Sequence, residues 1–168
     1  MPEPVRNLLC STAIAALTAA TLASTAAGAK DVTNAQTAPI ATATANNGAA
    51  DAINITKDGS VTVTSGTAVT VNSNHKVTNG GKIAISNASG STGIAAMAGT
   101  SGDIVNSGTI NIDEPYTPKD DDNDGDLDGP FALGGNRQGI RTMGAHAGDV
   151  VNSGTITVEG NDSTGIAL

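Results

Sequence analysis

Three segments of this chain are near-copies of one another, and no other feature limits its fold so tightly. KVTNGGKIAIS begins at Lys76, DIVNSGTINID at Asp103 and DVVNSGTITVE at Asp149, so the starts lie 27 and then 46 residues apart. The downstream halves align too. Ser-Thr-Gly-Ile at 91–94 and again at 163–166 matches Arg-Gln-Gly-Ile at 137–140, and Met97 matches Met143. The longer spacing is therefore the same unit carrying about 19 extra residues, placed between Glu114 and Asn136. Self-similarity of this kind marks a repeat architecture, in which each unit leans on its neighbours.

Within each unit the aliphatic positions alternate. Ile83 and Ile85, Ile110 and Ile112, and Ile156 and Val158 sit two apart, the spacing of one strand face, and form the expected repeat core. Val77, Ile104 and Val150 take an equivalent earlier position. Gly81, Gly108 and Gly154 follow Asn79, Asn106 and Asn152 by two residues and mark a turn. About half a dozen buried aliphatics cannot offset the cost of ordering a whole unit, so a single unit does not fold alone. Stacking units about 4.8 Å apart solves this, because each strand then pairs with its equivalent above and below. The repeated Asn residues either form an amide ladder along such a stack or serve only as turn formers. Prolines fit the scheme: Pro39, Pro115, Pro118 and Pro130 all lie outside the repeated strands, which have no free edge to spare. The expected fold is all-β, a right-handed parallel β-helix (β-solenoid), with rungs over 49–168 and an acidic inserted loop at 114–136. The stretch around Ile53, Ile55, Val61, Val63, Val69 and Val71 reads as a further rung of divergent sequence.

Composition narrows the function. The net charge is −8, with one Tyr, one Phe and no Trp, which excludes nucleic acid as a partner: both the basic surface and the stacking rings are missing. Residues 1–29 read as a signal peptide. Arg6 supplies the positive charge, Leu8 to Ala23 the apolar run, and Ala27-Gly28-Ala29 the small residues before cleavage between Ala29 and Lys30. That run is too short and too rich in Ser and Thr for a membrane span. Cys10, the only cysteine, lies inside it, so the mature chain has neither a disulfide nor a thiolate ligand. Residues 30–48 are Thr- and Ala-rich without clear periodicity and read as a low-complexity linker or an N-terminal start.

The pattern V-x-N-S-G-T-I-x-V followed by S-T-G-I, repeating after a signal peptide, resembles the passenger region of bacterial autotransporters (type V secretion) over roughly residues 49–168. The resemblance implies export to the cell surface or outer membrane of a Gram-negative bacterium, or secretion. It also implies a C-terminal outer-membrane β-barrel translocator as partner, and contact with a host or neighbouring cell surface. This chain contains no alternating ten-residue segments with aromatic girdles, so the translocator is expected but absent from it. The expectation is an N-terminal segment of a longer protein, with a complete small secreted solenoid as the alternative.

The insertion reads EPYTPKDDDNDGDLDGPFALGGN, and six acids fall between Asp120 and Asp128. Asp120, Asp122, Asp124 and Asp128 have the D-x-D-x-D-G-x-x-D spacing of calcium loops, in which short carboxylates two apart converge on one hard cation. The twelfth position, where an EF-hand supplies Glu, is Phe131, and no helical pattern flanks the loop. Two other readings stand beside calcium: a solvated loop kept soluble by its charge, and a partner-docking loop that uses Tyr116 and Phe131. No cofactor is required.

Function then divides two ways. The first reading is a structural or adhesive surface-displayed scaffold with no catalytic residues. The second is a polysaccharide lyase or hydrolase of the pectate-lyase-like kind, which uses acids, calcium and an arginine base; here Arg137 and Arg141 follow the acidic cluster. Arg141 aligns with Ala95 and Ala167, which suits a surface position. His75, His146, Met97 and Met143 read as turn, surface, core or strand-end residues.

Overall fold

The computed structural model describes residues 28–130 and 132–168. The signal-peptide reading of 1–29 falls outside the described residues except for Gly28 and Ala29. From Lys30 onward the chain runs through three strands and starts again, five times over. Rung 1 is β1 (Lys30–Val32), β2 (Ala35–Gln36) and β3 (Ile40–Ala41), followed by a short 3-10 turn at Thr42–Thr44. Rung 2 is β4 (Ile53–Ile55), β5 (Ser60–Val63) and β6 (Thr67–Val71). Rung 3 is β7 (Val77–Asn79), β8 (Lys82–Ser86) and β9 (Thr92–Ala96). Rung 4 is β10 (Ile104–Asn106), β11 (Thr109–Asp113) and β12 (Gln138–Thr142). Rung 5 is β13 (Val150–Asn152), β14 (Thr155–Val158) and β15 (Thr164–Ala167).

First strands pair only with first strands, second with second and third with third, giving three five-stranded parallel sheets. This is the repeated-strand architecture of a β-solenoid. Register follows the sequence repeat: Ile110 lies between Ile83 and Ile156, and Ile112 between Ile85 and Val158. Ile83, Ile85, Ile110 and Ile112 are fully buried, while Ile156 and Val158, in the last rung, are half-buried against the same core.

Of the two readings of residues 30–48, linker or N-terminal start, the strands fit the second: the first rung begins at Lys30, ahead of residue 49. β1, β2 and β3 pair in register with β4, β5 and β6. The alternation is faint there because Lys30 and Gln36 stand in register with Ile53 and Val61. With a neighbour on one side only, rung 1 buries Val32 and leaves Lys30, Asp31, Ala35 and Gln36 exposed. Met97 and Met143 are strand-end residues, about 41% and 47% exposed, and are not part of the core.

The Asn column is both things the sequence left open. Asn79 Nδ2 donates to Asn106 Oδ1 at 2.7 Å, and Asn106 Nδ2 to Asn152 Oδ1 at 2.7 Å, a ladder in which Asn79 and Asn106 are wholly buried. The Asn79 carbonyl also accepts the Ser107 and Gly108 N–H groups, so the turn below hangs from the Asn above. That geometry demands Gly108: a Cβ there would sit 2.2 Å from the Gly81 carbonyl oxygen. A second glycine column faces inward, since a Cβ on Gly139 would lie 2.4 Å from Ile156 Cγ2. The Gly in Ser-Thr-Gly-Ile thus leaves room for the isoleucines of the opposite sheet.

Candidate functional site

Between its second and third strands, rung 3 uses residues 87–91 and rung 5 uses residues 159–163, whereas rung 4 uses 114–137. The long connection leaves and re-enters the stack at one corner, and its two ends are joined there by a buried ion pair. Arg137 Nη2 lies 2.9 Å from Glu114 Oε2, with the side chains 1% and 6% exposed. Every nitrogen of the guanidinium is used: Nε donates to Ala88 O at 3.1 Å and Nη1 to Glu159 O at 2.8 Å. Glu114 is equally engaged, since Oε1 accepts the Leu133 N–H at 2.6 Å and Oε2 the Gly134 N–H at 2.9 Å. The Arg137 hydrogen bond holds the Glu114 carboxyl below the ordinary carboxylate range. Burial opposes this, and the two backbone N–H groups and the guanidinium charge add to it.

The returning limb is also fixed to rung 5. Asn161 Nδ2 donates to Ala132 O at 3.0 Å, and Gly135 and Asn161 form a parallel bridge. The tip is a turn of its own, closed by an antiparallel bridge between Lys119 and Asp128.

Within the tip the four predicted ligands divide three to one. Asp120, Asp122 and Asp124 each bring one carboxylate oxygen within 4.8 Å of the others. Oxygens bound to one calcium at 2.3–2.6 Å lie at most about 5 Å apart, so this triad fits a single ion. Asp128 stands outside the triad. Its Oδ2 accepts the N–H groups of Asp121 and Asp122 at 2.7 and 3.3 Å, which makes it a brace for the loop backbone. The other acids brace as well, Asp120 Oδ2 taking the Gly125 N–H at 3.1 Å. Asp120 Oδ1, by contrast, is buried without a hydrogen-bond partner. Of the two aromatics in the insertion, Tyr116 is half-buried and Phe131 lies outside the described residues.

Other candidates resolve more simply. Arg141 lies on the third sheet opposite Ala95 and Ala167 and donates to Gln138 Oε1 at 3.3 Å. His75 Nδ1 pairs with Ser73 Oγ at 3.0 Å. His146 Nδ1 lies 3.0 Å from Thr100 Oγ1, whose single proton goes to Met97 O at 2.7 Å, so His146 Nδ1 is the donor. Among the described residues neither histidine is hydrogen-bonded to a carboxylate, as a nucleophilic triad requires.

The Glu114–Arg137 pair went unread in the sequence, although a signal was there. Arg137 occupies the column position of Ser91 and Ser163, one residue before the paired Thr92, Gln138 and Thr164. A long cation where sister units carry a small hydroxyl, at one end of an insertion that begins with an acid, is the mark of such a pair. Comparisons of the chain with protein-family models, curated proteins and solved structures gave no match.

Proposed function

We propose that this chain is an exported, surface-displayed structural or adhesive segment of the autotransporter-passenger kind. In this reading a signal peptide over 1–29 is removed before Lys30, where β1 begins. A right-handed β-helix then holds the acidic insertion clear of its core. The observation that carries the reading is the contrast within one stack: in-register rungs throughout, and one long excursion anchored at its base that gathers the acidic side chains. A rod built of mutually paired strands tolerates an insertion at a corner without disturbing its sheets, and inserted loops on rigid scaffolds are where recognition concentrates. The translocating outer-membrane barrel would be supplied outside this chain, and the loop would meet a host or neighbouring cell surface.

The lyase alternative needs Arg137 or Arg141 as base. Arg137 is buried with all three nitrogens engaged, which favours the scaffold reading. Expression of the full chain in a Gram-negative cell tests export. The expected product starts at Lys30 and lies outside the cytoplasm; a product that keeps Met1 and stays wholly cytoplasmic refutes the reading.

Calcium at the loop tip belongs to the same proposal. Asp120, Asp122 and Asp124 would hold the ion, and the partnerless Asp120 Oδ1 supports this. Three carboxylates with water or loop carbonyls completing the shell suit the weak class of extracellular sites, with Kd of about 0.1–1 mM. Isothermal titration should show a saturating calcium heat that Asp122→Asn abolishes. Equal heats from magnesium would rule calcium out.

A further inference from the structure

In rung 3 the corner closes locally: Ser91 Oγ donates to Ala88 O at 2.6 Å, three residues back along the same connector. In rung 5, Ser163 Oγ donates to Asn161 O at 3.1 Å, again within its own connector. Rung 4 cannot close this way, because 23 residues separate its column residue, Arg137, from Glu114. Arg137 instead spans the gap to Glu114 and reaches the carbonyls of both neighbouring corners, Ala88 above and Glu159 below. The two glycines beside the guanidinium are required by its size: a Cβ on Gly134 would lie 2.3 Å from Nη2, and one on Gly160 2.6 Å from Nη1.

We infer that the Glu114–Arg137 ion pair is a latch that closes the insertion at its base and fixes where the acidic tip stands relative to the stack. Arg137 is a positioning residue in this scheme: it replaces local closure by a serine with closure across the insertion and the two flanking rungs. Release of the latch frees the outgoing limb from residue 115 and the Leu133 and Gly134 N–H groups, while Ala132 keeps its bond to Asn161 and the strands, which pair without the latch, stay in place. The inference concerns only how the loop is attached, so it stands or falls separately from export.

The lowered pKa of Glu114 sets the pH behaviour. A carboxyl depressed in the closed state adds stability above the ordinary carboxylate pKa and loses it as pH falls through the depressed value. The latch therefore holds at neutral and mildly acidic pH and opens only in stronger acid.

Residue-resolved amide hydrogen exchange on the full chain tests this. The Leu133 and Gly134 N–H groups, bound to the Glu114 carboxylate, should be protected in the wild type. Arg137→Ser and Glu114→Gln should each speed exchange at these two amides by about tenfold or more beyond any rise in β4 to β8. Exchange in the wild type, corrected for intrinsic rate, should rise in a step as pH drops below the carboxylate range, and Glu114→Gln should lack that step. If Arg137→Ser does not fold, Glu114→Gln decides alone. Unchanged exchange at both amides, an equal rise through every rung, or a wild type without the acid step overturns the latch.

Discussion

Rungs 3 and 4 start from nearly the same sequence and end as different objects. Both place a Val or Ile, an Asn and two Ile residues on matching columns, and both bury them completely. One then turns its corner over residues 87–91, while the other departs for residues 114–137 and returns to the same register. The difference teaches that column identity, and not connector length, holds a rung in the stack. The strands carry the stacking energy, and the corner has only to bring the chain back to its column. A long excursion costs little loop entropy, since each doubling of length adds only about 0.6 kcal/mol. What it does require is a substitute for the short corner's closure, and the Glu114–Arg137 pair supplies it.

The hardest test of that equivalence is to hollow the same column in both rungs. Ile83→Ala and Ile110→Ala each remove a wholly buried side chain from the middle of the core and should each cost about 2–5 kcal/mol in denaturant unfolding. The two values should agree within about 1 kcal/mol. A much smaller cost at Ile110 would mean that the insertion has loosened rung 4, and the comparison would fail.

A smaller effect separates interior rungs from the end of the stack. Asn106 is buried, donating to Asn152 and accepting from Asn79, so Asn106→Ala takes the nearer partner from the buried Asn79 Nδ2 and leaves it only Thr109 O at 3.3 Å. The expected loss is about 1–3 kcal/mol. Asn152 is exposed and its Nδ2 reaches only Gly154 O at 3.3 Å, but its Oδ1 takes the buried Asn106 Nδ2, so Asn152→Ala should cost less, about 0.5–1 kcal/mol, because water reaches the freed donor at this exposed face. Thermal or urea melts of the pair read the difference directly, and equal losses would show that the ladder is not what stabilises the interior.

How much of this could be read in the sequence follows from where a residue's partners lie. Ile110 and Ile112 announce themselves because their partners, one rung away, are also aliphatic, and repetition makes the column visible. The columns of rung 1 are hidden because Lys30 and Gln36 stand where the next rung carries Ile53 and Val61, so the aliphatic repeat breaks there. At the loop tip the D-x-D-x-D spacing brought Asp120, Asp122 and Asp124 together. What the spacing does not show is that Asp128 Oδ2 accepts the N–H groups of Asp121 and Asp122, since backbone donors enter no spacing rule. Glu114 and Arg137 were missed for the opposite reason: they pair across the insertion, and the repeat, which compares residues between rungs, cannot show a contact made once.

The mildest change asks whether rung 4 can be turned into rung 3. Replacing residues 114–137 with the rung 3 connector Asn-Ala-Ser-Gly-Ser, residues 87–91, removes both members of the ion pair together and restores a serine at the column. Deleting a buried pair whole is often neutral, whereas deleting one member leaves an unpaired buried charge and is costly. The graft should therefore move Tm by no more than about 3 °C, while Arg137→Ser in the intact chain should lower it by roughly 10 °C. Calcium heat should vanish in the graft, because the triad leaves with the loop. A graft that melts as low as Arg137→Ser would make the insertion part of the stack's own support. Near-identity with the wild type identifies it as cargo that the stack carries and the latch secures.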